Sequence, residues 1–493
     1  MTATARARPL RAVQGHAVQG VARRGLAGLA GAGFSGMAGV AVTWLAARAL
    51  GAEQAGAFFA ATAAFTLAGG VVRLGTQTGL VYWVARLRMQ ERAHLLGALL
   101  KIALVPVAAA SVVVAAVLWF VAPAPLNSLA LFLPLAALSD AALAGTRGYR
   151  QLRPTLLLER LARPAMQVLT IGALALATVP APGPYAAAWV VPYLPVALLS
   201  GYALRRAYLA VPTPTRRPGH KMYLALRAQF WRYTGPRSLA SVAQLALQRV
   251  DVLLVATLGG LAAAAVYAVA GRFVVLGQLA NQGISQSVQP RLAEALSIGD
   301  RLTAGHLYQT ATGWLVLVTW PLYLMVITYA PVYLGLFGAE YRTGGLVVVV
   351  LASAMLVATG CGMVDMVLSM AGRTRWNLAN VTAALAIMVA LDIALIPPFG
   401  AVGAAVGLAA AVLVNNIAPL IQVGRALGIH PFGPGTVAAS GLAVACFGVL
   451  PQIFAETAGT SPAAVTAAAA VALAAYGAGV WRMRRTLALG GLW

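Results

Sequence analysis

Acidic residues are scarce in this chain. Eleven Asp and Glu stand against 35 Lys and Arg over 493 residues, and charged residues make up 9% of the whole. Soluble domains carry about 25% charge, so this sequence cannot cover a core of its size with a water-facing surface. Lysine is nearly missing, with Lys101 and Lys221 alone. Neither completes a Gly-x-x-x-x-Gly-Lys-[Ser/Thr] loop, which excludes a built-in P-loop ATPase. The two cysteines, Cys361 and Cys446, lie in apolar stretches without ligand spacing and read as small buried hydrophobes. The histidines His16, His94, His220, His306 and His430 do not gather near acids, and no His-Glu-x-x-His occurs. No metal site and no cofactor are expected. Ten-residue segments of alternating polarity are also missing, which excludes a transmembrane barrel. The gaps on the outer side are short, the richest being 330–344, so a membrane-embedded enzyme is disfavoured and a transporter expected.

What is present is apolar sequence. The chain is 61% hydrophobic, with a mean hydropathy of +0.83. A spanning helix needs about 20 mostly apolar residues, and in lipid only helices and closed barrels satisfy their backbone. Fourteen such stretches run at 26–47, 57–84, 95–121, 128–146, 155–179, 185–204, 236–258, 263–288, 307–329, 345–369, 377–396, 402–423, 435–454 and 463–481. Pro and Gly mark the gaps at 122–125, 180–184, 397–400 and 433–435. The first stretch is too long and Gly-rich for a cleaved leader and is expected to be a retained helix. Its Gly28, Ala32 and Gly36, four apart, read as a close-packing stripe.

The net charge of +24 follows from topology and not from nucleic-acid binding. Basic residues fall in every second gap, as the positive-inside rule requires. Only Arg48 and Arg342 lie in outer gaps, and only Arg73, Arg249 and Arg272 lie within spans. Both termini are therefore expected on the cytoplasmic side. The chain divides into a cytoplasmic arm at 1–25, a first lobe of six helices at 26–206, and a basic cytoplasmic linker at 207–235. A second lobe of six helices at 236–424, a helix pair at 425–481 and a tail at 482–493 follow. At an offset of 208, Leu50-Gly51 aligns with Leu258-Gly259 and Arg73-Leu74-Gly75 with Asn281-Gln282-Gly283. Two parallel repeats place a substrate path between them near the midplane.

Ionisable groups at that depth cost about 2.5–3.5 kcal/mol and mark pathways. Arg73 reads as a cationic hook for an anionic substrate such as a phosphate ester, since Arg stays charged and binds phosphate bidentately. An ion pair with an acid on a neighbouring helix is the competing reading. Arg249 and Arg272 are candidates for the same task. A structural Asp251–Arg272 pair stands against separate roles for the two. Asp140 and Asp365 are read as coupling-ion or proton sites, or as neutralisers of the arginines. Glu159, with Arg160 and Arg163, suits an interfacial ion network or a place in the cavity. Asp392 lies near an outer helix end and is less informative.

A family resemblance rests on these residues and on short motifs around them. The run from Ala47 to Gly56 resembles an R-x-L-G-P-E-x-Y-G pattern, with Ala52 and Ala55 departing from its Pro and Tyr. Leu74-Gly75, Arg86, Gln248-Arg249-Val250-Asp251, Tyr267-Ala268, Leu336 to Tyr341, Ala371-Gly372-Arg373 and Ile396 to Ala405 continue the set. Together they resemble bacterial O-antigen and exopolysaccharide flippases of the multidrug/oligosaccharidyl-lipid/polysaccharide exporter superfamily. The resemblance implies an all-α, polytopic, MATE-like membrane protein with about fourteen transmembrane helices, a central cavity and alternating access. It implies movement of an undecaprenyl-pyrophosphate-linked glycan from the inner to the outer leaflet of the bacterial cytoplasmic membrane. Arg73, Arg272 and Arg249 would hold the pyrophosphate, and Asn281 and Gln282 the sugar. Membrane lipid and polysaccharide polymerase or assembly proteins are the expected partners, and nucleic acid is not. A lipid II flippase is ranked second because residues 26–47 lack arginine. A drug/cation antiporter and a non-transporting scaffold in a polysaccharide assembly complex complete the alternatives.

Overall fold

The computed structural model describes residues 7–212 and 219–488, with side chains from Gly28 and then from Ala30 onward. The side chains of the N-terminal arm's arginines, and Arg216 and Arg217 of the linker, lie outside the described part.

Within it the chain is helical throughout. α1 (Ala7–Val72) carries the first expected span and most of the second. Its one non-helical residue, Gly51 at φ 72°, turns the chain between them, a conformation glycine adopts without steric cost. α2 (Thr76–Met89), α3 (Leu96–Val121), α4 (Leu126–Ala130) and α5 (Leu133–Gly148) follow. A π-helical stretch at Thr155–Ala162 leads into α6 (Arg163–Leu176), and α7 (Pro182–Val190) and α8 (Tyr193–Leu209) close the first half. The second half opens with α9 (His220–Leu247), α10 (Val250–Leu254) and a π-helical stretch at Val255–Gly259. α11 (Leu261–Ala270), α12 (Arg272–Ser297), α13 (Arg301–Thr328), α14 (Ala330–Gly335), α15 (Gly345–Gly360), α16 (Val364–Met370) and α17 (Thr374–Leu427) continue it. Gly400, at φ 54°, turns the chain inside α17 as Gly51 does in α1. α18 (Pro434–Ala443), α19 (Leu450–Ala458) and α20 (Pro462–Arg482) end the described chain.

This is a multi-pass membrane protein. Ten helices among the described residues are long and apolar enough to cross a bilayer, or eleven if α9 and α10, bent by 51°, form one span. The expected count of fourteen is not confirmed by that measure. The turns at Gly51 and Gly400 join spans that hydropathy separates, and the fifth expected span is divided between a π-helical stretch and the 14-residue α6. The linker also differs from expectation. α9 starts at His220, well before 236, because nothing breaks the helix there and Leu226 and Phe230 bury into the first half. Exposed apolar side chains such as Val112, Val113, Val117 and Phe120 on α3 and Val437, Val444 and Val449 near the C-terminus supply the lipid-facing surface. Hydroxyls within the spans bond back to carbonyls one turn away, as Thr66 does to Thr62 and Thr319 to Leu315.

The halves share their largest core at one end, and α9 also packs along α1 and α2 of the first half. A single apolar core combines Leu50, Phe58 and Tyr185 from the first with Phe337, Tyr341 and Ile396 from the second. At this end Gly56 lies so close to Leu261 that an added Cβ would stand 1.8 Å from its carbonyl oxygen. Trp44 Nε1 and an Arg48 guanidinium nitrogen both donate to the Leu336 carbonyl, at 2.8 and 3.2 Å. Tyr341 donates its hydroxyl to the Ala47 carbonyl at 3.3 Å. At the opposite, arginine-rich end α9 joins the first half in a cluster around Leu87, Leu96 and Phe230, while Leu292, Tyr308 and Ile429 form a separate one. The space between the halves opens there between these two clusters.

Candidate functional site

The three arginines that lie within spans all sit where a spanning helix is interrupted. Arg73 stands between α1 and α2, Arg249 between α9 and α10, and Arg272 opens α12 after the break at Gly271. An interruption leaves carbonyls without their helical donors, and in lipid that cost is severe. Two of the arginines add side-chain donors to carbonyls beside the breaks, Gly69 also keeping its helical bond from the Arg73 N–H. Arg73 Nε donates to the Gly69 carbonyl at 2.8 Å, and Arg272 Nε to the Ala268 carbonyl at 3.0 Å. The same i−4 arrangement recurs in both halves.

Arg73 has a second partner. Its guanidinium meets the Asp140 carboxylate of α5 at 3.1 Å, the one ion pair among the described residues. Asp140 is buried and Arg73 partly exposed, at 22%. Around this pair lies a larger charged group. Glu159 feels the charges of Asp140, Arg147, Arg160 and Arg163. Arg163 lies over the Tyr193 ring at 4.9 Å, and Tyr193 in turn senses Asp140, Arg73 and Glu159. Arg160 donates to the Gly28 carbonyl of α1 and lays its stem against Gly31, while Gly36 of the small-residue stripe packs against Leu279 of α12. The Nε atoms of Arg147 and Arg163 are buried without a partner. Four guanidiniums thus face two carboxylates, and two positive charges remain uncompensated.

Beside Arg73 is a polar cavity of about 450 Å³ between α1, α2 and α9. Gln77, Thr78, Ser241, Gln244 and Gln248 line it. Apart from Gln248, which belongs to a motif of the family resemblance, the sequence reading did not single out these residues, since polar residues near the ends of spans carry no signal of their own. Only their convergence across two elements distant in sequence marks them. The cavity combines one guanidinium with amide and hydroxyl groups able to bond a polyhydroxylated ligand.

In the second half the Asp251–Arg272 pair does not form. Tyr267 donates its hydroxyl to Asp251 at 2.6 Å, and the Val252 N–H donates to the other carboxylate oxygen at 2.7 Å. Arg272 Nε is engaged by the Ala268 carbonyl of α11, and Arg249 Nε is buried unpartnered. Asp392, given little weight in the sequence, is fully buried with both carboxylate oxygens unpartnered, and it lies against Gly407. The remaining candidates stand apart from the Arg73 cavity. Asn281 accepts a long bond of 3.4 Å from Ser285 on α12, Gln282 beside it is exposed, and Asp365 is exposed on α16. Both cysteines are free and buried.

The interrupted helices and their charged breaks define a multi-pass membrane fold. Residues 236–402 match the MatE family model. The whole fold is similar to that of the lipid II flippase MurJ in an inward closed conformation, with a TM-score of 0.70 and 12% identity over 92% of this chain and 98% of that one. It is similar to an inward-facing multidrug resistance MATE family transporter of the MOP superfamily, with a TM-score of 0.65 and 12% identity over 80% and 94%. An outward-facing transporter of that description gives a TM-score of 0.55 and 13% identity over 83% and 95%. At these identities the likeness is one of fold. No curated protein matches the sequence. The MatE match spans about a third of the chain, and the likeness of fold spans most of it.

Proposed function

We propose that this chain is a flippase carrying an undecaprenyl-pyrophosphate-linked oligosaccharide from the inner to the outer leaflet of a bacterial cytoplasmic membrane, with both termini cytoplasmic. The observation that carries the reading is the uncompensated positive charge of the Arg73, Arg147, Arg160 and Arg163 group around only Asp140 and Glu159. A pyrophosphate is the kind of dianion such a site balances. The polar cavity beside Arg73 suits sugar hydroxyls, while the prenyl tail stays in lipid between the halves. Carrying a dianion outward is downhill in an inside-negative membrane by about 2.3 kcal/mol per charge per 100 mV. Asp251, Asp365 and the unpartnered Asp392 are carboxylates left for any ion coupling, because Asp140 is bound to Arg73.

The test is outer-leaflet delivery of this substrate in reconstituted vesicles. Arg147→Ala and Arg163→Ala should each slow it at least tenfold, and Gln244→Leu should weaken saturation by glycan more than by bare prenyl pyrophosphate. Delivery unchanged in both arginine variants would sink the proposal. The fold likeness to a lipid II flippase favours lipid II as the second reading. Delivery of lipid II in preference to other glycans in the same vesicles would select it.

A further inference from the structure

Away from the charged group, the first half carries a groove of about 480 Å³ on the surface formed by α3, α5 and α8. Its walls are apolar, with Leu100 and Leu104 from α3, Leu135 and Leu138 from α5, and Leu198 from α8. On α8 the lining positions Ala197, Gly201, Leu204, Arg205 and Tyr208 share one face. The groove thus runs along the helix axis for about 16 Å, roughly one leaflet of a ~30 Å hydrocarbon core. Gly201 keeps it open, since a Cβ added there would meet nothing within 4 Å. The apolar walls end at Arg205 and Tyr208, near the arginine-rich end of the molecule. Arg205 is exposed and makes no ion pair among the described residues. Just beyond lies a smaller cavity of about 270 Å³ lined by Arg88, Arg150 and Val211. Beside it the Arg88 guanidinium lies over the Tyr149 ring at 5.5 Å.

A single apolar channel one leaflet deep, with guanidiniums only at its interfacial end, has the chemistry of an anionic membrane lipid. We propose that the groove binds an anionic glycerophospholipid of that leaflet, with an acyl chain along Leu100, Leu104, Leu135 and Leu138. Its headgroup phosphate meets Arg205, with Arg88 and Arg150 in the adjoining cavity. The site is separate from the transport cavity and stands whether or not the flippase reading holds.

The experiment is lipid retention by the full-length protein, read by native mass spectrometry after purification from bilayers of equal phosphatidylglycerol and phosphatidylcholine. The wild-type chain should retain phosphatidylglycerol in preference. Arg205→Ala should lower that preference roughly fivefold, as expected for one basic residue near a lipid phosphate. Gly201→Leu should abolish retention of either lipid without loss of thermal stability, because its side chain enters open space and improves helix propensity. Leu138→Trp blocks the groove from the opposite wall and should do the same. Equal retention of both lipids, or phosphatidylglycerol retention unchanged in the three variants, overturns the proposal. Displacement of phosphatidylglycerol by undecaprenyl phosphate at equal concentration overturns it too, by assigning the groove to a prenyl chain.

Discussion

Arg73 illustrates how a charged side chain inside a membrane can be held by structure and still face a ligand. Its Nε serves the Gly69 carbonyl and its terminal nitrogen serves Asp140, yet it lines the polar cavity. Asp140→Ala leaves the guanidinium half-buried with one partner fewer, at a cost of about 1–3 kcal/mol. The expected result is a lower unfolding temperature in detergent, restored in part by the charge-swapped pair Arg73→Asp with Asp140→Arg. No rescue in the swap would show that each residue is held by something other than the other. Tyr267→Phe should similarly cost about 1–3 kcal/mol, because it removes the one side-chain donor to buried Asp251. The sequence marked Arg73, Arg249 and Arg272 because they violate the charge rule. It passed over Arg147 because a residue near an inner helix end looks like an ordinary topology signal, while Arg163 was read with Glu159 and Arg160 as an ion network. Asp392 was passed over for the matching reason: its distance from a helix end is readable, but its complete burial depends on α17 folding back at Gly400 so that Gly407 reaches it.

At the scale of helices, apolar run length and Pro/Gly punctuation place the spans well, because each obeys a local rule. The interruptions at Arg73, Arg249 and Gly271 escape that reading, since hydropathy averages over a window longer than the break. The early start of α9 escapes it as well, because His220 to Gly235 is amphipathic and buries only Leu226, Phe230 and Thr234. The two outer-gap arginines gain meaning only from the fold. Arg48 donates to the carbonyl of Leu336 just past the C-terminus of α14, where cations are favoured. Arg342 packs against Gly335 at the end of the same helix. Trp44, Arg48 and Tyr341 form a latch across the closed end, and alternating access requires it to open. Arg48→Ala with Tyr341→Phe removes two hydrogen bonds worth about 0.5–1.5 kcal/mol each. Spin labels at Ala52 and Thr343 should therefore show the separated population rising several-fold or more. An unchanged distance distribution would mean the latch does not oppose opening. Gly56→Ala weakens the same joint by a different route. Its methyl meets the Leu261 backbone, which cannot move aside, and the overpacking costs about 1–3 kcal/mol of stability.

For the whole molecule, the joined end and the open end must lie on definite sides of the membrane, and the flippase reading fixes which. The arginine-rich end, with its two separate apolar clusters, must face the cytoplasm if a lipid-linked precursor is to enter there. The latch end must then face outward, although it carries Arg48 and Arg342, because those two cations are engaged by the carbonyl end of α14 and its flank. Both native cysteines are free but buried, so single introduced thiols report with little background. Arg342→Cys sits on an exposed turn at the latch end, and Arg301→Cys opens α13 at the other. A membrane-impermeant maleimide applied to intact spheroplasts should label Arg342→Cys promptly, and Arg301→Cys only after permeabilisation. The reverse pattern would turn the cavity mouth outward and end the case for inner-to-outer transport by this conformation. Labelling of both from outside would show that the number of crossings between the two positions is even, against the alternation that the basic residues follow along the chain.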